Sequence, residues 1–167
     1  MNEKWREAQR LMALGNEVAR HTSDTLTAAE AVRLLSILSG ELLLTGEFSS
    51  VSDAGFEVVH LAGEFSDTSD ETIRAALQLE SSNPNHTISR RFKAPALMSR
   101  ISDYHFEAEY AQQESASVAL LLLRLRELRG FILGEDSFTT DPNHPVYILG
   151  LSCDGGLVGL RSSVCWA

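Results

Sequence analysis

The sequence predicts an α/β sandwich in which a mostly antiparallel sheet lies between helical layers. Three observations lead there. Stretches with apolar residues at helical spacing alternate along the chain with short strand-like runs. The C-terminal end reads as one long hairpin, Val146 to Leu151, a tight Cys153-Asp154-Gly155-Gly156 turn, then Leu157 to Trp166. With 167 residues, 44% of them hydrophobic, the chain is long enough to bury one sizeable core.

The elements follow in order. Residues 3 to 21 form a predicted amphipathic helix with Ala8, Leu11, Met12, Val18 and Ala19 along one side, broken by His21-Thr22-Ser23-Asp24. Thr27-Ala28-Ala29-Glu30 is a capping-box pattern, in which the Thr hydroxyl accepts from the N3 amide and Glu30 reaches back. A second helix is expected from Ala28 to about Leu44, burying Val32, Leu35, Leu38, Leu42 and Leu43 and ending at Thr45-Gly46. A Ser-rich loop, Phe48 to Gly55, leads into a strand over Phe56 to Leu61. Thr68-Ser69-Asp70-Glu71 repeats the capping pattern and opens a short helix to about Leu79. After the Ser81 to Asn85 turn a strand is expected around Thr87 to Ala94, whose Arg90, Arg91 and Lys93, with Arg100, make the one basic segment. It reads as a solvated sheet edge or a partner for the acidic region.

Ser115 to Arg129 reads as the clearest helix. Val118, Leu121, Leu122, Leu125 and Leu128 lie at helical spacing, with Leu120 and Leu123 widening the stripe, Arg124, Arg126 and Arg129 near its end, and Gly130 as the stop. Asp136 to Pro145 is an expected irregular loop. The continuous apolar run Val146 to Leu151 then suggests a strand covered on both faces, and Val158, Leu160, Ser162, Val164 and Trp166 alternate onto one face of the last strand.

Charge narrows the function classes. A net charge of −9 argues against direct nucleic-acid binding, which relies on clustered Lys and Arg. Between Leu34 and Ile73 stand eight carboxylates (Glu41, Glu47, Asp53, Glu57, Glu64, Asp67, Asp70 and Glu71) and no lysine or arginine. An acidic loop between two regular elements can present fixed negative charge to a basic or metal-containing partner. The N-terminus is a charged amphipathic stretch rather than a secretory signal, and no apolar run approaches membrane-spanning length. Cys153 falls beside the hairpin turn and Cys165 roughly eight positions away, too far for a disulfide, so free thiols and a cytoplasmic location are expected.

Catalytic signatures are sparse. Gly-x-Gly-x-x-Gly, a P-loop, Gly-x-Ser-x-Gly and His-Glu-x-x-His are absent. Asp154-Gly155-Gly156 leads into no helix and reads as a turn, not a phosphate cradle. His105 and Glu107 place a histidine and a carboxylate close in sequence, as a general-base pair would require.

Val146-Tyr147-Ile148-Leu149-Gly150, then Asp154-Gly155-Gly156-Leu157-Val158-Gly159-Leu160 and Ser162-Ser163-Val164, resembles the closing hairpin of the nuclease A inhibitor family. Leu42-Leu43-Leu44, Ser52-Asp53-Ala54-Gly55-Phe56-Glu57, Phe92-Lys93 and the region Ala116 to Leu128 follow in the family's order. The likeness runs from about residue 27 to 167, which makes residues 1–26 a helical extension and 27–167 the family-like domain. It implies a three-layer α/β/α sandwich similar to the pathogenesis-related protein 1 fold. It also implies a non-enzymatic role, tight inhibition of a sugar-nonspecific, Mg²⁺-dependent nuclease.

In that family a loop glutamate approaches the nuclease's metal and the C-terminal threonine enters its active site. By resemblance the partner-binding residues here are Glu47, Ser52, Asp53, Trp166 and Ala167. Anchoring on the leucines gives Glu47 the glutamate's place, whereas anchoring on Ser52-Asp53 gives Val51, which has no charge. Ala167 keeps the α-carboxylate without the hydroxyl, and Trp166 replaces an acidic neighbour. The protein itself needs no cofactor on this reading, its only metal contact being the partner's Mg²⁺. The alternatives are a module of the same fold that binds a different basic protein and, last, a hydrolase using His105 and Glu107.

Overall fold

A computed structural model of the chain describes residues 3–40, 42–44, 54–89, 93–103, 109–134 and 143–165. In chain order the elements are α1 (Glu3–Arg20), α2 (Ala28–Leu38), β1 (Leu42–Leu44), β2 (Ala54–Gly55), β3 (Glu57–Leu61), α3 (Asp70–Ala76), a 3₁₀ turn (Pro84–His86), α4 (Ala94–Met98), β4 (Ile101–Asp103), α5 (Glu109–Leu123), β5 (Arg126–Ile132), β6 (Asn143–Leu151) and β7 (Leu157–Cys165). The fold is mixed α/β. A four-stranded sheet has the order β3-β7-β6-β5, a three-stranded one the order β2-β1-β4, and every registered pair is antiparallel.

Alternation along the strands divides the core between the two faces of the larger sheet. Ile132, Val146, Ile148, Val158, Leu160 and Val164 join Leu11 and Val18 of α1, Leu34, Leu35 and Leu38 of α2, and Val118, Leu121 and Leu122 of α5 in one apolar cluster. Their neighbours Phe131, Leu149, Leu151 and Leu157 point the other way and gather with Leu133, Ile73 of α3 and Ile88 in a second cluster. The unbroken apolar run of β6 is thus covered on both faces, as its sequence predicts. Each fully buried Leu, Ile or Val in these clusters contributes roughly 1.5–3 kcal/mol relative to exposure.

The final hairpin also matches expectation. Ser152 N–H donates to Gly156 O (2.9 Å), Gly155 N–H to Ser152 O (3.1 Å), and Gly155 takes φ +89°, the left-handed region that favours glycine. The register sets Cys165 opposite Asn143, at the end of the hairpin remote from Cys153 in the turn, and Cys153 is a free thiol.

Several expectations are corrected. Helix α2 stops at Leu38 rather than running to Leu44: Ser39 caps it, its N–H donating to Leu35 O (2.9 Å), and Leu42 to Leu44 form β1. Those leucines keep a helical look because three in a row suit any period. Their partners are distant, Ile101 to Asp103 on one side and Ala54-Gly55 on the other. Likewise α5 ends at Leu123, and Arg126 to Ile132 pair with β6 as a strand. Leu125 and Leu128 continue the helical spacing by coincidence, and Leu123 is 63% exposed rather than widening a buried stripe.

Arg126 and Arg129 therefore stand in a strand rather than at a helix end. Gly130 is no helix stop either. A Cβ there would lie 2.7 Å from Leu97 Cδ1 and 2.8 Å from Ala94 Cα, so the glycine lets α4 approach β5 closely. Of the strand expected around Thr87 to Ala94, only Ile88 makes a bridge, to Leu133, while residues 90–92 lie outside the described residues and Ala94 begins α4.

Thr27 Oγ1 accepts from Glu30 N–H (3.2 Å) as expected, but the Glu30 carboxylate turns to Arg33 (3.1 Å) instead of back to the cap. At α3 the capping hydroxyl is Ser69, accepting from Thr72 N–H, while Thr68 donates to Glu127 O (2.8 Å). On α1, Leu11 and Val18 are buried, but Met12 is 62% exposed.

Candidate partner-binding site

Glu47, Ser52, Asp53, Trp166 and Ala167 lie outside the described residues, as do Glu41, Gly46, Val51, His105 and Glu107. The described residues flanking the predicted contact segments do meet. Leu44 pairs with Ala54 and Leu43 with Gly55, so both ends of segment 45–53 are fixed by one ladder. Ser162 Oγ, on β7, donates to Gly55 O (2.9 Å) and Ala54 O (3.3 Å). Ser162 is only 7% exposed, so these bonds are made largely out of water.

The register gives this junction its direction. Following β3 backwards from Leu61 to Glu57 tracks β7 forwards from Leu157 to Arg161. Gly55 and Ala54 then continue to Ser162, and Cys165 lies three residues further on. Segment 45–53 and residues 166–167 therefore join the described fold at the same end of the larger sheet. Asn143, paired with Cys165, brings in a third segment there, 135–142, whose sequence holds Glu135, Asp136 and Asp141. Sequence reading missed both Ser162 and this third segment. A hydroxyl among Val158, Leu160 and Val164 on one strand face was the available signal for Ser162.

The acidic stretch divides by environment. Glu57 pairs with Arg161 (3.4 Å) and Asp70 with Arg129, so two of its carboxylates meet arginines from the C-terminal strands. Asp67 accepts from the Thr72 hydroxyl (2.5 Å) and from Ser69 N–H (3.0 Å), which hold its carboxyl below the usual range. Outside that stretch, Asp154 accepts from Ser152 Oγ (2.5 Å) and from Ala28 N–H (3.0 Å), the first residue of α2, and is lowered in the same way. These four carboxylates have structural partners.

Arg161 belongs to a row that crosses all four strands. Glu57 is opposite Arg161, Arg161 opposite Tyr147, and Tyr147 opposite Phe131. The guanidinium lies over the Tyr147 ring (5.8 Å), and the Tyr147 and Phe131 rings stack at 5.3 Å. Among the described residues no group of three or more His, Cys, Asp or Glu could hold a metal ion, and no helix is long and apolar enough to cross a membrane. No protein-family model matches the chain, and no curated protein matches it.

Proposed function

We propose that this chain is a non-catalytic protein that binds and blocks a sugar-nonspecific nuclease, on a three-layer α/β/α sandwich similar to the pathogenesis-related protein 1 fold. Segment 45–53, with Glu47, Ser52 and Asp53, and the C-terminus, with Trp166 and Ala167, form the contact. The observation that carries this reading is the Ser162 junction. It ties the strand after segment 45–53 to the strand before residues 166–167 at one end of the sheet. Two segments far apart in sequence thereby leave from neighbouring positions, as a shared contact surface requires.

The chemistry is consistent. A carboxylate held near a hard cation takes the place of a scissile phosphate oxygen, and a loop anchored by a paired ladder loses less entropy on binding. Glu57 and Asp70 already have arginine partners, and the contact charges proposed from the resemblance are Glu47 and Asp53. Titration of the purified protein into Mg²⁺-dependent nonspecific nucleases, following binding and activity together, tests the reading. Glu47→Ala is expected to weaken binding by roughly 1–4 kcal/mol, in the range of interface hot spots. Unchanged affinity would remove Glu47 from the contact. Ala167 and Trp166, which depart from the family's ending, favour a second reading, an interaction module for another basic protein. Binding without loss of nuclease activity would select it.

A further inference from the structure

A cavity of about 400 Å³ opens on the face of the larger sheet that carries Phe131 and Tyr147. Tyr147, Arg161 and Ser163 form its floor, and Leu77, Asn85 and His86, from the chain after α3, form a wall. The chain has 23 carboxylates against 14 lysines and arginines, yet no Asp or Glu is among the described residues that line this space. A cavity of this size lies within the usual range for small-ligand sites.

Arg161 and His86 present donors to it. Glu80 N–H donates to His86 Nδ1 (2.9 Å), which puts the proton of the neutral ring on Nε2. The nearest polar neighbour of Nε2 is Asn83 Nδ2 at 3.5 Å. That amide is oriented by its own Oδ1, which accepts from Asn85 N–H (2.9 Å), so Asn83 also presents a donor. The two donors face each other, and neither has an acceptor among the described residues. Across the floor, Arg161 is held by Glu57 through Nη1 and over the Tyr147 ring, and its Nη2 has no hydrogen-bond acceptor among the described residues. The Tyr147 and Ser163 hydroxyls likewise have none among the described residues. The Glu57 pair is exposed and held through one nitrogen only, so water screens it and it leaves the guanidinium able to bind a second anion.

We propose that this cavity binds a small organic oxyanion, a phosphate monoester with a compact apolar body. The phosphate takes the Arg161 and His86 donors, and the body rests on Leu77 and Leu133. The site is separate from the nuclease-binding reading and does not depend on it. The probes are phenyl phosphate, phenol and inorganic phosphate, titrated into the full chain at constant ionic strength and followed by calorimetry and NMR. Phenyl phosphate is expected to bind saturably, about tenfold or more tighter than either fragment, with shifts at His86 and Tyr147. Arg161→Gln and His86→Gln should each weaken it about tenfold, and Glu57→Gln should tighten it by removing the competing carboxylate. Because Arg161 also spans the sheet, His86→Gln, on a surface turn, is the variant that keeps the test independent of folding. Phenol binding as tightly as phenyl phosphate, or undiminished phenyl phosphate binding in folded His86→Gln, would overturn the proposal.

Discussion

Ser162 donates its hydroxyl hydrogen to the Gly55 carbonyl at 2.9 Å, so one polar side chain on the core face of β7 fastens β2 to the larger sheet. Beyond β2 lies segment 45–53, and beyond β7 lie the last residues of the chain. Ser162→Ala leaves the Gly55 and Ala54 carbonyls without this donor. It should cost about 1–2 kcal/mol in urea unfolding. On the inhibitor reading it should also weaken nuclease binding, since both contact segments are anchored through it.

Gly130 permits the close packing of α4 on β5. Gly130→Ala puts a methyl group 2.8 Å from the Ala94 backbone, which can retreat only if α4 moves. The expected loss is about 1–3 kcal/mol, read from the denaturation midpoint at constant slope. A helix-terminating glycine would show no such overpacking cost.

The two neighbours Leu11 and Met12 should behave oppositely. Leu11 is in the main apolar cluster and Met12 is 62% exposed. Leu11→Ala is expected to cost about 2–5 kcal/mol and Met12→Ala less than about 0.5 kcal/mol in the same unfolding assay. This pair also measures how firmly α1 is held against α5.

Asp154 joins the hairpin turn to the start of α2 through Ser152 Oγ and Ala28 N–H. Those bonds lower its pKa in the folded state. Its stabilisation is therefore complete above the unfolded-state pKa of about 3.9 and is lost as pH falls through the lower folded value. Asp154→Ala should destabilise by about 0.5–2 kcal/mol at pH 7, as loss of a helix cap does. Urea titrations at descending pH should show the wild type and this variant converging below about pH 4.

Cys153 and Cys165 sit at opposite ends of the hairpin, the latter paired with Asn143. Cys165 lies eight residue steps along the strand from Leu157, on the order of 27 Å of rise. Alkylation in denaturant without reductant should therefore label both thiols of the monomer. A single species with neither thiol labelled would contradict the register.

Local chemistry made much of this fold legible. The Thr27 cap, the Gly155 turn, the alternation of Val158, Leu160, Ser162 and Val164, and the two-sided apolar run of β6 are all written within a few residues of where they act. Leu42 to Leu44 and Leu125 to Leu128 depart from the expected helices for the opposite reason. Three leucines in a row satisfy helical and strand spacing alike, whereas Leu125 and Leu128 keep helical spacing across a register shift between Arg126 and Arg129. Long-range pairing with β4 and β6 decides both cases.

The candidate site divides the same way. The sequence alone determined that the chain is acidic and that eight of its carboxylates, Glu47 and Asp53 among them, stand between Leu34 and Ile73 without a lysine or arginine. Only the tertiary structure decided that Glu57 and Asp70 are taken up by Arg161 and Arg129, and that Ser162 brings β2 to β7. The reason is separation: each of these contacts joins residues more than fifty positions apart. No local pattern encodes such a pairing, and it exists only once the sheet has closed its register.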